Sequence, residues 1–172
     1  MRITTICGST RIKSSNTALL EAYNILAEQL GYEVNVLEDL PQLPHFDPEH
    51  VDDELPDEVI QFRKNVSYAD VIVISTPEYI HSMLAILKNG LEWLVGDPRF
   101  VGKRVVILKV HERSKFAHES LVEVLKTMSA NLLQDAYVHL EASSSNINSY
   151  DILENETWRS MLNASLGKLA IR

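Results

Sequence analysis

The chain has a single cysteine, Cys7, which excludes a disulfide framework and any cysteine-based zinc site. Its 6 glycines and 6 prolines are scattered, so no Gly/Ser-rich or Pro-rich linker divides it. No run approaches the roughly 18 consecutive apolar residues of a membrane span, and no repeat of 20–50 residues recurs. Positive charge is scarce: 16 Lys and Arg stand against 24 Asp and Glu, for a net charge of −8. That field repels phosphate backbones and anionic lipid heads, so neither nucleic acid nor a membrane surface is an expected partner. The start MRITTICGS carries no apolar segment of signal-peptide length, and with the lone thiol this leads to the expectation of a cytoplasmic protein. What remains is an ordinary globular composition, 45% hydrophobic over 172 residues. At that length roughly 70% of the unfolded surface is buried, so one domain over residues 1–172 needs no covalent staple.

Periodicity supplies the organisation. Ile3 to Cys7 is a β-branched run ending at Gly8, and Val34 to Leu37 is a second. Between them Leu19, Leu20, Tyr23, Leu26, Ala27 and Leu30 recur at helical spacing, with Gly31 placed to end the helix. A long polar loop follows, then a short helix around Val59 to Val66. The nearly continuous apolar run from Ala69 to Ser75 suits a strand covered on both faces, and Val105 to Val110 repeats it. Helical spacing returns at about Met83 to Leu94, Leu121 to Leu133 and Ile152 to Leu169, with a weaker strand at Tyr137 to Leu140. The alternation β-α-β-α-β-α-β-α-β-α predicts an α/β fold: a doubly wound, five-stranded parallel sheet of flavodoxin-like order 2-1-3-4-5. Ligands in such sheets sit beyond the carboxyl ends of the strands where the order reverses, here between strands 1 and 3. The loops after Cys7 and after Ser75 are thereby marked.

The first of these, from Gly8 to Thr17, packs Ser9, Thr10, Ser14, Ser15, Asn16 and Thr17 around Arg11 and Lys13. Hydroxyls, an amide and cations at a helix start form an anion site in composition. Helix capping alone needs one such residue, not this density. A P-loop requires a Gly-Lys-Ser/Thr ending and a Rossmann fingerprint requires three glycines, and neither is present. The second loop, Thr76-Pro77-Glu78-Tyr79-Ile80-His81-Ser82, offers a fixed turn, an aromatic face and backbone donors for the polar edge of a flat heterocycle. Beyond it Leu87, Leu91 and Trp93 read as the inward face of a core helix.

Together the two loops resemble those of the NAD(P)H-dependent FMN reductases, flavodoxin-like flavoproteins. That family's phosphate loop reads roughly Gly-Ser-x-Arg-x-x-Ser-x-Asn, matched by Gly8, Ser9, Arg11, Ser14 and Asn16. Its flavin loop is matched by Pro77, Glu78, Tyr79, Ser82, Leu87, Lys88, Asn89, Leu91 and Trp93, with Glu92 in place of Asp. The similarity covers about the first 110 residues. It implies FMN as cofactor and NAD(P)H as hydride donor. Ser9, Arg11, Ser14, Ser15, Asn16 and Thr17 are then expected around the phosphate, and Pro77, Glu78, Tyr79, Ile80, His81 and Ser82 around the ring. It also implies a quinone, flavin, azo compound or similar small molecule as acceptor, and a homodimer or homotetramer. The apolar face of Leu84, Leu87, Leu91 and Leu94 is a candidate for the subunit contact. No residue is expected to act as acid or base, because the cofactors carry the chemistry, and no metal site is expected. The competing class is an acidic FMN-binding electron carrier without dehydrogenase activity.

Three departures from the family pattern stand out. Ile80 and His81 occupy positions where the family usually has Asn and often Gly; Leu84 and Ala85 replace Pro-Gly. The segment His111 to His118 lacks the glycine the family often carries after strand 4. There Arg113 or Lys115 is a candidate for a nucleotide phosphate, whereas His111 and His118, with no metal partners at ligand spacing, read as structural or solvated.

Overall fold

The computed structural model describes residues 1–170 except 12, 51–54, 112, 113 and 145. In chain order the elements are β1 (Arg2–Cys7), α1 (Ser15–Gln29), β2 (Glu33–Leu37), α2 (Asp57–Tyr68), β3 (Val71–Ser75) and α3 (Ala85–Leu94). They continue with β4 (Arg104–Lys109), α4 (Lys115–Thr127), β5 (Asn131–Leu132), β6 (Val138–His139), α5 (Ser149–Glu154) and α6 (Glu156–Leu169). All pairings are parallel and the order is β2-β1-β3-β4-β5, with β6 also on β4.

Each central strand is apolar on both faces because both faces are covered. In β3, Val71 and Val73 pack with Leu19 and Tyr23 of α1 and Leu162 and Leu166 of α6. Ile72 and Ile74 point the other way, among Phe62 of α2, Leu87 and Leu91 of α3 and Leu121 of α4. At about 1.5–3 kcal/mol per fully buried aliphatic side chain, this double layer is the main stabilising term.

Two elements differ from the sequence expectation. The fifth strand is split: β5 pairs with the start of β4 at Arg104 and Val105, a 3-10 turn at Gln134–Ala136 intervenes, and β6 pairs with its end at Leu108 and Lys109. The helix expected through Leu133 therefore stops at Thr127, where Ser129 turns the chain with a φ of 59°. The last helix is also two, because the backbone of Asn155 is extended, with a ψ of 106°, and its side chain accepts the Trp158 N–H to start α6. Gly31 does end α1, with a φ of 78° and the paired bonds Gly31 N–H to Glu28 O and Tyr32 N–H to Ala27 O.

The α3 motif is structural. Asn89 accepts from Phe46 N–H at 2.8 Å and donates to Pro44 O at 2.9 Å, and the Trp93 indole donates to the same carbonyl at 2.8 Å. These bonds pin the long loop after β2 to the helix. Leu87, Leu91 and Leu94 are buried within the chain itself and only Leu84 of that face stays partly exposed, which corrects the expectation that the face as a whole reaches a second subunit.

Candidate functional site

A cleft of about 830 Å³ opens at the carboxyl ends of β1, β3, β4 and β6, where the strand order reverses. Its volume lies in the range of small-molecule and cofactor sites. Ser9, Arg11, Ser14, Ser15 and Asn16 form one wall and Pro77, Glu78 and Tyr79 a second. Four expected residues, Thr17, Ile80, His81 and Ser82, do not line it.

The first wall is built by close approach of two loops. Gly8 donates its N–H to Ser75 O at 2.8 Å, and a Cβ there would sit 2.5 Å from Thr76 Oγ1 and 2.8 Å from Thr76 Cβ. Glycine is thus required by the neighbouring loop. Ser14 caps α1, its hydroxyl accepting from Thr17 N–H at 3.1 Å and meeting Thr17 Oγ1 at 2.8 Å. Thr17 Oγ1 in turn lies 3.4 Å from Cys7 Sγ, so Thr17 faces the strand end and works as scaffold. The buried Asn16 accepts from Ser75 Oγ at 2.9 Å, which ties the helix start to β3 and leaves its amide nitrogen as a donor. The amides of Ser15 and Asn16 have no carbonyl within reach in their own helix. Helix end, hydroxyls and the Arg11 guanidinium form a donor set suited to a phosphate.

In the second wall Tyr79 and Ser82 exchange two backbone hydrogen bonds of 3.0 Å around Ile80 (φ 49°) and His81 (φ 54°). Two successive left-handed residues make a type I′ turn, whose preferred pair is Asn-Gly; a β-branched residue there is strained. Ile80 is 99% exposed and Tyr79 55%. His81 turns away from the cleft and stacks on Phe116 of α4, with centroids 4.3 Å apart and planes at 24°. Ser82 Oγ lies 3.4 Å from Ser120 Oγ, and Glu78 accepts from the Ala117 N–H at 3.0 Å. Three residues of this loop therefore anchor the start of α4.

A third wall is formed by His111 and Ser114, from the segment where the chain departs from the family's glycine-containing loop, and by Glu141, Ala142 and Ser143, which no motif indicates. Its one signal is positional, since each residue follows the carboxyl end of β4 or β6. His111 is neither solvated nor isolated: Nε2 lies 2.9 Å from Ser15 Oγ and Nδ1 2.7 Å from Ala142 O. His118 is half-buried, with its ring edge-on to Tyr137, and its basicity is lowered by burial and by Lys109. Lys115 pairs loosely with Glu119 at 3.9 Å on an exposed helix face and does not reach the cleft; Arg113 lies outside the described residues. No group of three metal-ligating side chains occurs among the described residues, nor does any helix long and apolar enough to cross a membrane.

Comparison with known proteins agrees with this arrangement. Residues 1–144 match the family model described as NADPH-dependent FMN reductase. A probable NADPH:quinone oxidoreductase of Oryza sativa subsp. japonica is 36% identical over 96 residues, 54% of this chain and 47% of the relative. An NAD(P)H-dependent FMN reductase of Pseudomonas aeruginosa is 32% identical over 111 residues, 63% and 58% of the two chains. The chain thus spans about half the length of the curated relatives it matches. Among solved structures, the flavoenzyme NAD(P)H:(acceptor) oxidoreductase of Paracoccus denitrificans superposes with a TM-score of 0.79 at 18% identity, covering 98% of this chain and 96% of that one. A Pseudomonas aeruginosa flavodoxin follows at 0.61 and 14% identity, covering 95% and 98%. Likeness at these identities shows the flavodoxin-like fold, which reductases and flavodoxins share.

Proposed function

The chain belongs to the NADPH-dependent FMN reductase family, and on that premise we propose that it is an FMN-containing oxidoreductase that draws hydride from NAD(P)H and reduces a small-molecule acceptor of the quinone, flavin or azo class. The observation that carries this reading is the cleft at the β1/β3 reversal, with phosphate-type donors along one wall and an exposed tyrosine on the other. The donor chemistry fits the cofactor: Ser9, Arg11, Ser15, Asn16 and the α1 start would take the phosphate, and Pro77, Glu78 and Tyr79 would border the ring. Bound FMN supplies the redox-active ring to which hydride passes from the nicotinamide.

The chain's own residues place and hold. Arg11 and the hydroxyls would fix the phosphate end by charge-assisted hydrogen bonds of roughly 1.5–3 kcal/mol each. Asn16, locked to Ser75, keeps the helix start in register with β3. Glu78, held by Ala117, couples the ring-side loop to α4. With FMN held this way, the open cleft would admit donor and acceptor in turn, and ping-pong kinetics would follow. One sheet with a core layer on each face supports reading the chain as one domain. The exposed Tyr79, Ile80 and Phe116 beside the cleft support a homodimer or homotetramer in which a second copy covers them. Dependence on the NAD(P)H pool supports a cytoplasmic setting.

Anaerobic mixing of the purified holoprotein with NADPH and with NADH tests the reading. Rapid loss of the yellow absorbance is expected with at least one. A spectrum unchanged over minutes with both identifies an electron carrier instead.

A further inference from the structure

The two hydrogen bonds of His111 determine its tautomer. A backbone carbonyl only accepts, so at 2.7 Å from Ala142 O the Nδ1 atom carries a proton. In the neutral ring Nε2 is then bare, and at 2.9 Å it takes its hydrogen bond from the Ser15 hydroxyl. Ser15 lines the phosphate side of the cleft, yet in this state its proton points at the imidazole and offers an incoming anion only lone pairs. When the ring gains a proton from solvent, Nε2–H donates to Ser15 Oγ. The Ser15 hydroxyl proton is released to rotate into the cleft, and a positive charge stands one hydroxyl away.

We propose that His111 is a positioning residue that sets the direction of the Ser15 hydroxyl, so that binding a phosphate dianion in the first loop takes up a proton at the imidazole. The inference rests on the FMN reading of the cleft. It concerns a residue where this chain departs from the family's glycine-containing loop. The ionisable groups that line the same cleft are Arg11 from the β1 loop, Glu78 from the β3 loop and Glu141 from the β6 loop. Arg11 opposes the imidazolium and the two carboxylates favour it. Lys109, at the end of β4, precedes His111 by two residues, and residues 112 and 113 lie outside the described set.

The test is titration of the apoprotein with FMN and with riboflavin at pH 5.5 to 8, the span in which imidazoles change charge, in wild type and His111→Gln. The glutamine amide does not titrate, so its interaction with Ser15 does not change with pH. Ionisation of the FMN phosphate, near pH 6, is common to both proteins and cancels. Wild-type FMN affinity is expected to fall relative to His111→Gln by roughly 3- to 10-fold across this range, with no such trend for riboflavin. His111→Asn, which keeps a donor for Ala142 O but does not titrate, should follow the same profile as His111→Gln and serves if the latter does not fold. Parallel pH profiles for all proteins with FMN bound overturn this inference alone. Failure of the wild type to bind FMN at any pH overturns the flavin reading and the inference with it.

Discussion

The carboxylate of Glu78, in the loop after β3, accepts the backbone N–H of Ala117 in the first turn of α4 at 3.0 Å. Ser114 at the helix start makes no side-chain capping bond, so Glu78 caps α4 from another part of the chain and binds two walls of the cleft together. Glu78→Ala should cost about 0.5–2 kcal/mol, a fall in Tm of roughly 2–4 °C per kcal/mol at this size. Glu78→Gln, which keeps an acceptor, should recover most of it. Equal losses in the two variants would show that the charge, and not the cap, matters.

The Ile80–His81 turn stores strain. Ile80→Asn places a residue tolerant of positive φ in a site where the native side chain is 99% exposed. The expected gain is about 1 kcal/mol, a Tm higher by roughly 2–4 °C. A lower Tm in thermal melts would remove the strain account.

Gly8 is the tightest approach in the site, so Gly8→Ala should destabilise by about 1–3 kcal/mol through overpacking against Thr76. Gly8→Ala combined with Thr76→Ala, which removes the Thr76 hydroxyl, should recover part of the loss in denaturant unfolding. Strictly additive effects would place the cost elsewhere.

At the opposite end of the sheet Arg2 donates to Asp70 Oδ1 at 2.8 Å and lowers the carboxyl's pKa to about 2. Because the folded value lies below that of the unfolded chain, near 3.9, the pair's contribution is complete above about pH 4 and disappears as pH falls towards 2. Both side chains are more than one-third exposed, so solvent screens the pair and its contribution is small. Asp70→Asn should be the less stable protein at pH 7 and its equal near pH 2. A constant difference across that range in urea melts contradicts this sign.

Much of this architecture is legible in the chain itself, because Val71 to Ile74 and Val105 to Leu108 are apolar without alternation and only a sheet covered on both faces explains that. Thr127 and Asn155 carry no boundary signal for a local reason: neither is marked by glycine or proline, and the apolar period runs across both. In the site, the loop after β1 is readable because its donors are contiguous. His111 and Ser143 are not, since they belong to different strand ends and meet only when β4 and β6 lie side by side. The type I′ turn was hidden because Ile80 and His81 are not the residues such a turn selects.

The central claim, that the loop from Gly8 to Thr17 holds the phosphate of a flavin, is tested most directly by comparing FMN and riboflavin binding in wild type and Arg11→Ala by fluorescence titration. The account predicts tighter binding of FMN by the wild type, and in Arg11→Ala a loss of roughly 10- to 150-fold for FMN with riboflavin nearly unchanged. Equal affinity for the two flavins, or equal losses for both in Arg11→Ala, would contradict it.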